Sequence, residues 1–201
     1  MNAFVRGCGL AFCIAAVTTL ALNVFVSPHL PEGAFAVVAA SQTYFLRQCI
    51  AAVVALLLVF GIMGLHVSRL DRATTFATLA FVVALTGQVA LFSVEYSQAF
   101  TVHDYALNAP AALNAAMADP HRPLPLGALI AIGGFVIGWL LLAISLLPAR
   151  ETRFAAIFVI IGIPLAFVTK GMGVYGGILA SLVTGAGWFL LGLGMIRARP
   201  R

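Results

Sequence analysis

Charge is what this sequence has least of. Of its 201 residues 8% are Asp, Glu, Lys or Arg, while 63% are hydrophobic and the mean hydropathy is +1.10. Soluble domains carry about 25% charged residues. A soluble domain of this length still exposes about 30% of its unfolded surface, and this composition offers too few polar groups to cover it. A soluble enzyme, a nucleic-acid-binding domain, a disordered tail and a disulfide-stapled secreted module are all excluded on that ground. Lipid is the expected solvent.

Other absences narrow the chemistry. Cys8, Cys13 and Cys49 form no CxxC or metal-binding pattern. Cys8 and Cys13 fall in one apolar run and read as small apolar side chains. There is no HExxH, no Gly-rich loop followed by GKS or GKT, no Arg-rich voltage sensor and no Asp/Glu/His relay through an apolar run. His66 falls at one end of the layout and His29, His103 and His121 at the other, so no two are placed as axial haem ligands. His103 and Asp104 with Asp119 and His121 have the wrong spacing for a structural zinc site. No catalytic residue, metal or cofactor is expected.

What is present is a series of long apolar runs. A spanning helix needs about 20 mostly apolar residues, and the runs at about 7–27, 48–67, 73–94, 125–147, 154–169 and 172–196 predict six spans in a single transmembrane domain, an all-α bundle over 1–201. The first run is too long for a signal-peptide core, and the residues before Pro28 offer no small-x-small cleavage site. The fifth is short and carries Pro164.

Six spans put both termini on one side. The segments on that side hold Arg6, Arg69, Arg72, Arg150, Arg153, Arg197, Arg199 and Arg201, against Arg47, Arg122 and Lys170 on the other. Cytoplasmic loops carry the Lys/Arg excess, so the formal charge of +5 reads as orientation, with cytoplasmic termini, and not as affinity for nucleic acid. Tyr44, Tyr96, Tyr105 and Tyr175 all fall at the outer interface, where amphipathic rings are favoured. The outer connections are the longer ones. One carries an apolar stretch, Phe35 to Ala40, expected as an interfacial helix. The other runs from Glu95 to Leu124, and its length makes the outer face the expected working face.

Small residues mark helix contacts, because helices in lipid associate through close van der Waals approach. Gly173, Gly177, Ser181 and Gly185 recur every four residues, and Gly134 and Gly138 form a GxxxG pair. Both predict contact among the fourth, fifth and sixth spans, or a homo-oligomer interface. Trp139 and Trp188 lie inside their spans and read as packing residues.

Intramembrane polar groups are costly and attract functional readings. Gln88 and Glu95 are seven apart, on one helix face. Continued past the interface, Gln98, Ala99, Val102 and His103 prolong roughly that side, with Tyr96 and Asp104 adjacent, and Lys170 falls at the same end. Gln88, Glu95, Tyr96, His103, Asp104 and Lys170 are the candidate ligand-binding residues of an outward-facing pocket for a polar headgroup, a proton or a cation. The plainer reading has Glu95 and Lys170 marking the interface and Gln88 bonding a neighbouring helix.

The second-span exit Phe60-Gly61-Ile62-Met63-Gly64-Leu65-His66, the third-span end Val94-Glu95-Tyr96 and the fourth-span Gly138-Trp139-Leu140-Leu141-Leu142 give the chain a diffuse resemblance to small bacterial six-span membrane proteins of unknown function. The resemblance implies a bacterial inner-membrane location and transfers no activity. The expected role is a non-enzymatic accessory or small-ligand or lipid-binding protein, with membrane lipids and a homo-oligomeric or membrane-protein partner. The alternatives are a proton- or cation-coupled transporter using Glu95 and a lipid-headgroup-modifying enzyme.

Overall fold

In the computed structural model, which describes residues 3–198, each apolar run is helical and no strand occurs among the described residues. α1 (Ala3–Ala21) passes through a π-helical turn at Leu22–Val26 into a 3-10 turn at Ser27–His29, where Pro28 ends the helix. α2 (Phe35–Ala39) is the short helix expected in the first outer connection. α3 (Gln42–Val67) begins at Ser41, whose hydroxyl accepts the Tyr44 N–H at 3.1 Å. That cap fixes the start six residues ahead of the apolar run, because capping and not hydropathy decides where a helix begins.

α4 (Thr75–Ser97) does not stop where the apolar run stops. A π-helical turn at Gln98–Val102 leads directly into α5 (His103–Asn108), giving one continuous segment of 34 residues. The expected end at residue 94 is thus corrected. The sequence between Thr75 and Asn108 contains no Pro and a single Gly, so nothing breaks the hydrogen-bond ladder until Ala109-Pro110. α6 (Pro110–Ala118), α7 (Pro123–Leu146), α8 (Arg153–Val168) and α9 (Val174–Arg197) complete the chain.

Five segments are long and apolar enough to cross a membrane: Ala3–His29, Gln42–Val67, Thr75–Asn108, Pro123–Leu146 and Val174–Arg197. They support a multi-pass membrane protein. The sixth expected span corresponds to α8, whose 16 residues rise about 24 Å, less than the roughly 30 Å of a hydrocarbon core.

The long helices form a ring. α3 packs on α1 and α4, α4 on α7, α9 on α1 and α8, and α7 meets α8 across the thinnest seam. Its middle is filled by Phe12, Leu58, Ile62, Trp139 and Trp188, with the two indoles 5.4 Å apart and Phe12 6.0 Å from Trp139.

Glycine sets the closest approaches. A Cβ on Gly138 would lie 2.5 Å from Ala84 Cα, and one on Gly87 would strike the Gly134 backbone. The Gly134/Gly138 pair therefore packs on α4, where the sequence pointed to the fifth and sixth spans. The predicted α9 ridge behaves unevenly. Gly185 approaches Ala16 of α1, but Gly177 meets only Asn23 Oδ1, at 3.6 Å, and Gly173 lies in the preceding turn at φ +58° with open space around it. Ser181 is buried and bonds Ile178 O at 2.9 Å. α9 instead meets α1 through Gly185 and Gly192, two turns apart on one face.

The two ends of the ring differ. At one, Arg69 donates from Nη1 to Thr152 Oγ1 at 2.9 Å, tying the α3–α4 turn to the α7–α8 turn. Arg199 and Arg201, counted above on that side, lie outside the described residues. The opposite end carries Glu95.

Candidate polar site at the Glu95 end

The first turns of α3 place Tyr44, Arg47 and Gln48 on one face, at i, i+3 and i+4. Glu95 and Gln98, three apart across the end of α4, face them. Gln48, 1% exposed, donates from Nε2 to Glu95 Oε2 at 3.1 Å and to Gln98 Oε1. Its own Oε1 accepts from Arg47 Nη1. Tyr44 donates its hydroxyl to Gln98 Oε1 at 2.9 Å. Arg47 also donates from Nε to Ser27 Oγ at 3.2 Å, and Ser27 donates to Asn23 Oδ1 at 3.3 Å.

Three helices are joined by this chain of bonds, with Gln48 standing between the Arg47 guanidinium and the Glu95 carboxylate. Their opposite charges attract, and the amide relays between them. A carboxylate left alone among these helices would be costly. Here it has a hydrogen bond and a nearby counter-charge.

The site opens on one side. Gln98 also lines a chamber of about 480 Å³ between α4 and α7, roofed by Phe35 of α2 and Met117 of α6. Its other polar lining is Ser93 and Ser97, and the rest is apolar. Gln98 Oε1 is occupied by Tyr44 and Gln48, while its Nε2 has no hydrogen bond among the described residues. A ligand pocket has this character: mostly apolar walls of a few hundred Å³ with a few placed polar groups.

The six residues picked from sequence do not gather in one place. Glu95 is in the network. Gln88, fully buried, lies about 10 Å deeper by helix rise. It donates to Ala55 O at 3.2 Å and accepts from Trp139 Nε1 at 2.9 Å. His103 makes a 2.7 Å contact from Nδ1 to Ala39 O and lies against Phe45, so it docks α2 onto the α4–α5 helix. Tyr96 follows Glu95 by 100° around the helix and is exposed beside Phe92 and Phe100. Asp104 is exposed and accepts from Asn108 at 2.9 Å. Lys170 is exposed in the α8–α9 turn, and among the described residues no ion pair joins it to Glu95. Arg47 supplies the counter-charge in its place.

Tyr44, Arg47 and Gln48, and Gln98 on the predicted Glu95 face, carry the site as much as Glu95 does. Their signal was available: a polar i, i+3, i+4 face at the start of one apolar run, opposite a polar i, i+3 pair at the end of the next. No family model, curated protein or solved structure matches the chain.

Proposed function

We propose that the protein is a six-span inner-membrane protein of a bacterium that binds an amphiphilic lipid at the Glu95 end. α8 is the sixth span, and both termini lie on the arginine-rich cytoplasmic side. The lipid's chains occupy the chamber between α4 and α7, and its headgroup offers a carbonyl or phosphate oxygen to Gln98 Nε2.

The observation that carries this reading is Gln98 itself. Its oxygen is pinned by two buried partners, Tyr44 and Gln48, and the same residue lines a mostly apolar chamber whose other polar groups are Ser93 and Ser97. In this role the Arg47–Gln48–Glu95 network orients the amide and does not act on the ligand. A transport path would need polar groups to continue inward from Gln88. There the side chain is closed by Trp139 and Ala55, with Leu58 and Ile62 in the core beyond it. That arrangement favours binding over translocation.

Native mass spectrometry of the detergent-purified protein tests the proposal. One retained lipid per chain is expected. Gly127 lines the chamber, and a Cβ there meets nothing within 4 Å, so Gly127→Phe puts a ring at the chamber wall and is expected to abolish retention. Gln98→Leu is expected to weaken it. Equal retention in the wild type and both variants would refute the proposal.

A further inference from the structure

Arginine gathers at the end of the bundle opposite Glu95, and a cavity of about 480 Å³ lies there between the α3–α4 turn and the α7–α8 turn. His66 and Arg69 line it from the end of α3, Thr74 from the start of α4 and Ser145 from the end of α7. Its other walls are apolar, and none of the described residues lining it is acidic.

Hydrogen bonds fix where the charge sits. Arg69 Nη1 is 2.9 Å from Thr152 Oγ1, and that hydroxyl donates to Leu146 O at 3.0 Å. Leu146 lines the cavity, as does Ala149 beyond it. The guanidinium is thus held at the rim, in the gap between the two turns, and it does not titrate in a protein. His66 is half-buried with its ring stacked 3.9 Å from Phe81, and neither ring nitrogen is hydrogen-bonded among the described residues. The N-terminal end of α4, capped by Thr74, adds partial positive charge to the same wall. Phe76 and Ile144, both exposed, carry the apolar walls out to the surface of the bundle. Positive groups beside an apolar exit suit an amphiphile with an anionic head, and basic pockets between membrane helices take phosphate headgroups.

We infer that this cavity is a second binding site, for a phosphate group whose charge meets Arg69 and whose oxygens accept from Arg69 and the His66 ring N–H. Two sources share that chemistry, the headgroup of an anionic phospholipid and a free phosphate ion. The apolar exit past Phe76 and Ile144 favours the lipid. The site is at the opposite end from Gln98 and stands independently of the lipid proposed there.

The full chain in a maltoside micelle is titrated with dioctanoyl-phosphatidylglycerol, with dioctanoylglycerol, which has the same chains and no phosphate, and with inorganic phosphate. Native mass spectrometry counts the lipid adducts, and equilibrium dialysis of radiolabelled phosphate follows the free ion. Phosphatidylglycerol is expected to bind saturably and about tenfold tighter than dioctanoylglycerol, as one hydrogen bond to a charged group would give. Saturable binding of phosphate alone would also support the site and would name the free ion as its ligand. Arg69→Gln keeps an N–H for Thr152 and removes the charge, so it should abolish either result. Location is read in the wild type: the saturating probe should slow modification of Arg69 by phenylglyoxal, while Arg150, exposed in the α7–α8 turn, reacts as before. That measurement decides the matter should Arg69→Gln fail to fold. Any of the following overturns the site: phosphatidylglycerol no tighter than dioctanoylglycerol with no binding of phosphate, binding unchanged in folded Arg69→Gln, or an Arg69 that the saturating probe leaves unprotected.

Discussion

Gln88 and Gln98 lie ten residues apart on one continuous helical segment, and their surroundings are opposite. Gln88 is shut: its nitrogen meets a carbonyl of α3, its oxygen meets an indole of α7, and none of its surface is exposed. Gln98 is held by its oxygen alone and lines an apolar chamber. The same side chain therefore serves as a cross-brace in the middle of the bundle and, in the proposed function, as a donor near its end. In a membrane helix, whether a polar residue is structural depends on how many of its hydrogen-bonding groups the neighbouring helices already use.

The largest expected effect concerns which end faces out, and it is all or none. With Cys8, Cys13 and Cys49 replaced by alanine, Ala118→Cys should react with a membrane-impermeant maleimide on intact cells. Leu70→Cys should react only after the membrane is opened. Both labelled from one side would remove the topology on which the comparison depends.

Next in size is the α4–α7 contact that places both glutamines. Gly87→Leu has only backbone to push against. Overpacking costs 1–3 kcal/mol where side chains can give way, so a loss of about 3 kcal/mol is expected in denaturant titration of the micelle-bound protein. A loss below roughly 0.5 kcal/mol would show that the helices are not held this closely.

Gln88→Leu strands the Trp139 N–H and should cost about 1–2 kcal/mol, with lipid retention unchanged. Gln98→Leu should show the reverse pattern, with weakened retention and near-normal stability. Should the two variants behave alike, the contrast between brace and donor fails. The smallest effect is expected of Tyr44→Phe, which removes one of the two bonds holding Gln98. About 0.6 kcal/mol is the usual size of such a bond between membrane helices, and a slightly faster loss of retained lipid should accompany it.

How much of this the sequence revealed depends on which forces were local. The apolar runs, the α2 helix at Phe35 and the short α8 with Pro164 follow from composition and periodicity, and all are present. The run from Glu95 to Asn108 was misread as a connection because Glu95, Gln98, His103 and Asp104 depress hydropathy there. Its helix persists because nothing breaks the backbone ladder and because Glu95, Gln98 and His103 have partners on neighbouring elements. Partner identity was the illegible part. Glu95 was visible as an anomaly, but its pairing with Gln48 and Arg47, and not Lys170, depends on how α3 and α4 are rotated. Gly134 and Gly138 likewise announced a close contact without naming α4 as the other side.

A density map of the protein in a lipid nanodisc would test the central claim most directly. An elongated density between the outer halves of α4 and α7 is expected, its polar end within hydrogen-bonding distance of Gln98 and the core around Gln88 closed. A collapsed chamber holding only protein side chains, or a solvent path continuing inward past Gln88, would contradict it.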